Sequence, residues 1–414
     1  MKESPGDFRV REVSAYPTPD PDGAYTILRI ESVGWEQHEL AEAIARRLGL
    51  PHRAIDWAGT KDRRAVSERL FSYRGVPPRG GLDLPRVVVQ DVYRARDGVR
   101  LGHHYGNSFD IVVRSLPADP AASLSAAAAI RAELRRGPGI PNFFGPQRFG
   151  EVRPITHEVG RALVRGDPAG AVDIYLTATP SGVGTEGGDA RRAYAEHRDA
   201  ARALREFPSE YRFERTLLEH LAKGHPPERA LRALSHELRL LFVHAYQSWI
   251  FNRWLTARWR AGSRFDRPEA GDSLLRLGRD GTIRADAAVR VELDNRPECA
   301  DLVARGRAVV AGPLVGYETT IGAGPADETL ARILAEENVA PGAFRLPRTP
   351  EVASAGAYRP ALVPTPPIAL SRTEEEAPGL RFVFSLPKGA YATVLLREFL
   401  KLGATRARDS NGAF

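Results

Sequence analysis

Over the first 155 residues the apolar period of the chain keeps switching, and this is what most narrows its fold. Tyr25-Thr26-Ile27-Leu28-Arg29-Ile30 alternates as a strand does, and residues 36–48 then carry Leu40, Ile44 and Leu48 at helical spacing before Gly49 and Pro51 close the segment. Ile55-Asp56-Trp57 runs into a glycine turn, and residues 66–73 leave it as another strand. Val87-Val88-Val89 continues the pattern. Phe109, Ile111 and Val113 alternate with Asp110, Val112 and Arg114, as in a strand with one covered face. Residues 121–136 are alanine-rich and helical, stopped by Gly137-Pro138. The first part thus reads as alternating strands and helices.

At 414 residues the chain is long for one hydrophobic core, so two or three domains are expected. From about residue 155 the pattern becomes helical and polar. Residues 189–205 and 227–239 read as Arg/Glu-rich helices, and 236–260 is the longest helical candidate, with Leu238, Leu241, Phe242, Ala245, Trp249 and Ile250 as its apolar stripe. Residues 262–325 read as short β-like runs, and proline-rich 341–367 as a junction. A strand at 382–386 and a helix at 390–402 close the chain.

A single cysteine, Cys299, excludes an internal disulfide and a cysteine-cluster metal site. The adjacent His103 and His104 would point to opposite faces of a strand; they read as structural or RNA-facing rather than as a chelating pair. Neither a leader peptide nor a membrane span is expected, which by default indicates the cytoplasm, or the nucleus in a eukaryote. The net charge of +7 suits a polyanionic partner, although an arginine-rich composition also follows from GC-rich codons.

The run Ala58-Gly59-Thr60-Lys61-Asp62-Arg63-Arg64-Ala65 sets one acid among three cations directly after a glycine. Cations favour the ionised carboxylate, the form that nucleophilic or general-base chemistry uses. Only five of the 59 basic residues are lysines, so a lysine beside this Asp suggests a need for a compact point charge. Taken alone, the run also fits a surface turn with a solvated ion pair. Pro141-Asn142-Phe143-Phe144-Gly145-Pro146-Gln147-Arg148-Phe149-Gly150 is a loop that spends three phenylalanines, either to pin itself to a core or to stack on a ligand. Gly182-Val183-Gly184-Thr185-Glu186-Gly187 spells a dinucleotide-binding pattern but lacks the strand–turn–helix setting that such a site needs.

Together these motifs resemble the TruD family of pseudouridine synthases. Pro5-Gly6-Asp7-Phe8-Arg9-Val10-Arg11-Glu12 is similar to the family's first element, and the Ala58–Ala65 run to the element that carries its catalytic aspartate. The Asn142–Gly150 loop is similar to a third element, and Leu386-Pro387-Lys388-Gly389-Ala390-Tyr391-Ala392-Thr393 with its continuation to Glu398 is similar to a fourth. Weaker echoes are Ala245-Tyr246-Gln247-Ser248-Trp249-Ile250-Phe251-Asn252 and Pro313-Leu314-Val315-Gly316-Tyr317-Glu318-Thr319.

The resemblance implies an α+β fold: a pseudouridine-synthase catalytic domain on a mixed β-sheet with flanking helices, formed by residues 1–155 and 350–414. A family-specific α/β insertion domain would occupy 156–349. It implies isomerisation of uridine to pseudouridine in tRNA, at uridine 13 of the D-arm and in other RNAs besides, without cofactor, metal or obligate protein partner. Asp62 would be the catalyst and Lys61 its basic partner. Asn142 would hydrogen-bond the aspartate or the target nucleotide, and Phe144 would stack on the uracil. Gln147 and Arg148 would support the loop, while Phe8 and Glu12 would line the site. The competing readings are a non-catalytic RNA-binding protein on the same scaffold and an Asp-based phosphotransferase. The intact Lys61-Asp62 and Asn142–Phe144 set speaks against the first; the lack of a second acid near Asp173 and Thr177 speaks against the other.

Overall fold

The structure is a computed structural model that describes residues 4–400, apart from 15–16, 52, 60, 62–64, 79, 103, 117–118, 151, 180–186, 279–281, 285–287 and 374–377. Asp62, His103 and the glycine-rich 182–186 stretch therefore lie outside the described residues. The chain forms two compact units, Met1–Ile140 with Val363–Lys401, and Pro141–Leu362. The crossings thus come earlier than residue 155 and later than residue 349, the boundaries expected from the sequence. The Asn142–Gly150 loop goes with the second unit through Asn142, Phe144 and Arg148, which hydrogen-bond to Arg359, Pro360, Asn252 and Ser248.

The first unit opens with β1 (Phe8–Val13), β2 (Tyr25–Val33), α1 (Gln37–Leu48), β3 (Asp56–Trp57), β4 (Val66–Arg74), β5 (Val87–Ala95), β6 (Gly106–Arg114) and α2 (Pro120–Arg136). Each element follows from local chemistry. Glu36 caps α1 by accepting from the His38 and Glu39 amides at 2.7 and 3.1 Å, and Gly49, in the left-handed region at φ 65°, ends it. Asp119 caps α2 through the Ala121 and Ala122 amides.

The chain then crosses through β7 (Ile140–Pro141) into the second unit. There it builds α3 (Thr156–Val164), α4 (Pro168–Thr177), α5 (Gly188–His197), α6 (Ala200–Glu206), α7 (Arg212–Ala222), α8 (Pro227–Arg232) and α9 (His236–Arg260). Strands β8 (Ser273–Arg276) and β9 (Val289–Arg290), helix α10 (Arg296–Ala304), strand β10 (Ala308–Leu314), helix α11 (Pro325–Glu336) and strand β11 (Ala357–Pro360) follow. Strand β12 (Leu362–Val363) marks the return, and β13 (Ala369–Arg372), β14 (Gly379–Pro387) and α12 (Ala392–Leu400) complete the first unit.

The first unit's sheet has the order β13-β14-β6-β1-β4-β2-β5, with β3 added beside β4. Only β1 and β4 pair in parallel among its described ladders, so the sheet is mixed. The returning strand β14 lies against β6 along its whole length, from Gly379↔Arg114 to Pro387↔Gly106. One core cluster joins Phe8, Val10, Phe109, Ile111, Phe382 and Phe384 of the sheet to Leu395 and Leu396 of α12. A second packs Leu40 and Ile44 of α1 onto Leu28, Ile30 and Phe71.

The second unit is organised around α9, which buries Phe242, Tyr246, Ile250, Phe251, Trp254 and Leu255. Its four-stranded sheet has the order β11-β10-β8-β9. No helix among the described residues is long and apolar enough to cross a membrane.

Candidate active site

In the first unit the site begins with the two-residue period of β1. Phe8, Val10 and Glu12 share the buried face, while Arg9, Arg11 and Val13 are exposed. The same alternation that buries the two apolar residues thus carries a carboxylate into the interior, where it needs a partner. Lys61 supplies it: Nζ stands 3.3 Å from Glu12 Oε2, and the two side chains are only 4% and 1% exposed. Burial raises the Glu12 pKa, against the opposing pull of Lys61, and burial lowers that of Lys61, against the opposing pull of Glu12. Glu12 Oε1 has no hydrogen-bond partner among the described residues.

Behind this pair, Arg69 of β4 is 1% exposed and donates to Ser67 Oγ at 2.7 Å, Ser32 Oγ at 3.1 Å and Gln37 Oε1. Desolvation brings its pKa down to about 10, with Glu12 opposing.

Phe8 sits in the core at 6% exposure, edge-on to Phe109 with centroids 6.1 Å apart. Expected to line the site, it instead packs the strand that holds Glu12 in place.

The fourth motif reaches the same turn. Lys388 donates through Nζ to the Gly102 carbonyl at 3.0 Å and through its amide to the Tyr105 carbonyl at 2.9 Å. Gly102 in turn donates to the Ala58 carbonyl at 2.8 Å, one residue before the Gly59 turn. His104 lies against that turn. A Cβ on Gly59 would stand 3.0 Å from His104 Cε1 and 3.1 Å from Lys61 Nζ, so any larger residue would press on both side chains. The His104 pKa is pushed down to about 4 by burial, with the charges of Lys61 and Lys388 adding to the effect, so the ring is neutral near pH 7. His104 and Lys388 were not among the expected site residues. The rarity of lysine was the available signal for Lys388; His104 carried none beyond its neighbourhood.

In the second unit the Asn142–Gly150 loop is bound almost entirely by its own surroundings. Asn142 is 6% exposed. Its side chain accepts from Arg359 Nη2 at 2.6 Å and donates to the Pro360 carbonyl at 3.0 Å, while its carbonyl accepts from Arg359 Nε at 3.0 Å. Phe144 is 8% exposed, with the Arg359 guanidinium 4.0 Å from its ring centroid, Arg148 at 5.5 Å and Phe251 edge-on at 5.7 Å. Asn252 brackets the Phe144 backbone, accepting from its amide at 2.9 Å and donating to its carbonyl at 3.0 Å. Arg148 donates to Ser248 Oγ at 3.1 Å, and Gln147 is half-buried in the turn Pro146–Arg148.

Three of these holding residues were thus missed or undervalued. Ser248 and Asn252 lie in the weaker Ala245–Asn252 echo, and Arg359 in the proline-rich junction. Within each unit the expected residues come together: Glu12 with Lys61 in the first, Asn142 with Phe144 and Arg148 in the second.

The comparisons with known proteins fit this arrangement. The fold is similar to that of a crystal structure described as the "Putative tRNA pseudouridine synthase D (TruD) from Methanosarcina mazei", with a TM-score of 0.81, 30% identity, and coverage of 97% of this chain and 93% of that one. The class is therefore that of an isomerase. The family model for tRNA pseudouridine synthase D (TruD) matches residues 1–399. A protein of Halobacterium salinarum named "Probable tRNA pseudouridine synthase D" is 37% identical over 411 residues, 97% of this chain and 93% of its own length. One of the same name from Archaeoglobus fulgidus is 36% identical over 410 residues, 97% of this chain and 94% of its own length. The chain belongs to the TruD family of tRNA pseudouridine synthases.

Proposed function

We propose that this protein converts a specific uridine of tRNA to pseudouridine through Asp62, with uridine 13 of the D-arm as the principal target and other RNAs as further substrates, in the cytoplasm. The N1–C1′ bond breaks, the base turns, and C5 bonds to C1′; the C5 proton is lost and N1 regains one, so no redox change or hydrolysis occurs. Asp62 acts either by attacking C1′ or by removing the C2′ proton, and both routes need an ionised carboxylate.

The observation that carries this reading is the buried Lys61–Glu12 pair. A surface turn with a solvated ion pair has no reason to bury a lysine to 4%, whereas a turn that must present the next residue at a fixed place does. Lys61 provides positive charge beside Asp62, and Glu12 fixes where that charge sits. A target base must leave its stack to be reached. Phe144 is the aromatic proposed to receive it, set by Arg359 and Asn252, with Gln147 and Arg148 supporting the loop. Asn142 is proposed to reach the aspartate or the target nucleotide with the N–H that Pro360 does not take.

The test is pseudouridine mapping on unmodified tRNA transcripts, wild type beside Asp62→Asn. Modification of one uridine by wild type alone, with RNA affinity nearly unchanged in Asp62→Asn, is the expected result. Tight, salt-sensitive binding with no pseudouridine from either protein would move the chain to the RNA-binding class.

A further inference from the structure

Strand β3 ends two residues before Gly59, and its Asp56 and Trp57 form one wall of a solvent-open cavity of about 350 Å³. The rest of the lining includes His38 and Glu42 of α1, Arg53, and Leu101, a leucine 75% exposed. This space plays no part in the chemistry described above, yet its walls are assembled with care. Trp57 is held by the ladder pair Trp57↔Phe71 and packs against the core cluster of Leu40, Ile44 and Phe71, so its indole is a fixed, half-buried surface. The His38 ring meets it edge-on, 5.1 Å between centroids at 89°. Asp56 is held by its backbone opposite Ser72 while its exposed carboxylate has no side-chain hydrogen bond or ion pair among the described residues; partial desolvation raises its pKa against the pull of Arg100. An aromatic platform and an unused carboxylate acceptor thus share one cavity.

We propose that this cavity binds a nucleobase of the substrate RNA close to the target uridine, and selects one that carries an exocyclic amino group. The inference rests on the reading of the protein as an enzyme acting on RNA. Single-stranded bases bind proteins by stacking on aromatic rings and are told apart at their polar edges. An ionised carboxylate only accepts hydrogen bonds, so Asp56 matches the amino groups of adenine, guanine or cytosine and leaves uracil without that donor. Asp56 sets a negative charge in the wall, while Glu42 is paired with Arg46 at 3.6 Å, so a phosphate is better met by the exposed Arg53 of the lining than beside Asp56.

Proximity to the reaction follows from the chain. Trp57 and Asp62 are five residues apart, so their Cα atoms lie within about 18 Å even if the segment is fully extended. The Leu101–Gly102 rim is tied to the same turn by the 2.8 Å bond from the Gly102 amide to the Ala58 carbonyl.

The experiment uses the full chain and tRNA transcripts in which each nucleotide flanking the modified uridine is replaced in turn. Pseudouridine formation and fluorescence anisotropy are measured for wild type, Asp56→Ala, Trp57→Ala and Trp57→Phe. For wild type, exchanging an amino-bearing base for uridine at one flanking position should lower kcat/KM and affinity by roughly 5- to 150-fold. Asp56→Ala should bring that ratio towards one without changing the melting temperature. Trp57→Ala should weaken binding of every RNA, and Trp57→Phe, which keeps a ring, should restore most of it. A ratio that survives in Asp56→Ala, or no base preference at any flanking position, overturns the proposal. If wild type makes no pseudouridine, the catalytic reading fails, and the anisotropy ratios still decide the cavity.

Discussion

Removing Lys61 while leaving Glu12 in place should be among the costliest single changes in the first unit. The pair is 3.3 Å apart with both side chains at or below 4% exposure. At that distance two unit charges attract by about 5 kcal/mol for an effective dielectric of about 20. Desolvation of both groups offsets much of this, as the opposed pKa directions indicate: each group is shifted towards its neutral form despite its partner. The pair is therefore a modest net gain when intact and a large loss when halved. Lys61→Met strands the Glu12 carboxylate, whose Oε1 already lacks a partner among the described residues, and should cost about 3–5 kcal/mol. For a unit of this size the loss corresponds to a fall of about 6–20 °C in the melting temperature.

Glu12→Gln together with Lys61→Met removes both charges and should recover most of that loss, giving a coupling of about 2–3 kcal/mol in a double-mutant cycle. Urea titrations at pH 7 of wild type, both single variants and the double variant supply all four corners. A cost for Lys61→Met below about 1 kcal/mol, or a double variant equal to the sum of the singles, would show that the two buried charges are not each other's support.

Arg359→Lys should destabilise the second unit by about 2–4 kcal/mol in thermal melts. Lysine cannot reproduce the fork that satisfies both Asn142 oxygens at 3.0 and 2.6 Å while stacking on Phe144; a loss under about 0.5 kcal/mol would remove Arg359 as the brace of the loop. Acid should weaken the fold well above the carboxylate range. His104, His157 and His244 are each pushed down to about 4, mainly by burial, whereas free histidine titrates near 6.5. Between those values the unfolded chain holds more protons, so stability falls as pH falls through the window. Glu12 acts in the opposite sense, since its raised pKa makes the folded state the better proton binder above about 4.5. Asp56, whose pKa is also raised, acts in the same sense as Glu12, but with three histidines against two carboxylates urea midpoints at pH 7, 6 and 5 should decline stepwise; midpoints that hold level would show that these rings are not buried neutral.

Much of the fold could be read because the apolar patterns were strong. Helix α9 runs from His236 to Arg260 as its stripe indicated, with Ser235 accepting from the Leu238 amide at its start. Helix α10 was hidden in a region read as short β-like runs, since Cys299 is its only buried residue and no stripe exists to detect. Residues 189–205 read as one helix but break at Arg198, at φ 54°, where Asp199 caps a second. Residues 227–239 similarly split where Ser235 begins α9. In each case a short polar cap outweighed continuous helix propensity, a local competition that composition does not reveal.

The site was legible in its residue types but not in its supports. Glu12, Lys61, Asn142 and Phe144 could be named from the resemblance of their motifs to those of the TruD family, whereas the residues that hold them come from far along the chain. Asn252 lies 108 residues from Phe144, and Arg359 lies 217 from Asn142. Buried arginines are the common cause. Arg69, Arg191, Arg258 and Arg359 are each less than a tenth exposed, in a sequence where arginine reads as surface charge. An arginine turns inward when fixed acceptors are waiting for it, and those acceptors are placed by tertiary structure.

The Asn142–Gly150 loop is held rigid by Arg359. Both Asn142 oxygens accept from Arg359 and one amide hydrogen goes to Pro360, so what the side chain offers a substrate is its second amide hydrogen, held in a fixed direction. Arg359 meanwhile stacks on Phe144, so the asparagine, the arginine and the phenylalanine behave as one rigid piece. Such a piece fixes its aromatic ring before any RNA arrives, which spares the ordering cost that a free loop would incur on binding. On this argument the asparagine and the phenylalanine stand two residues apart in the motif because one guanidinium must reach both: the first anchors the arginine, and the arginine sets the plane of the second.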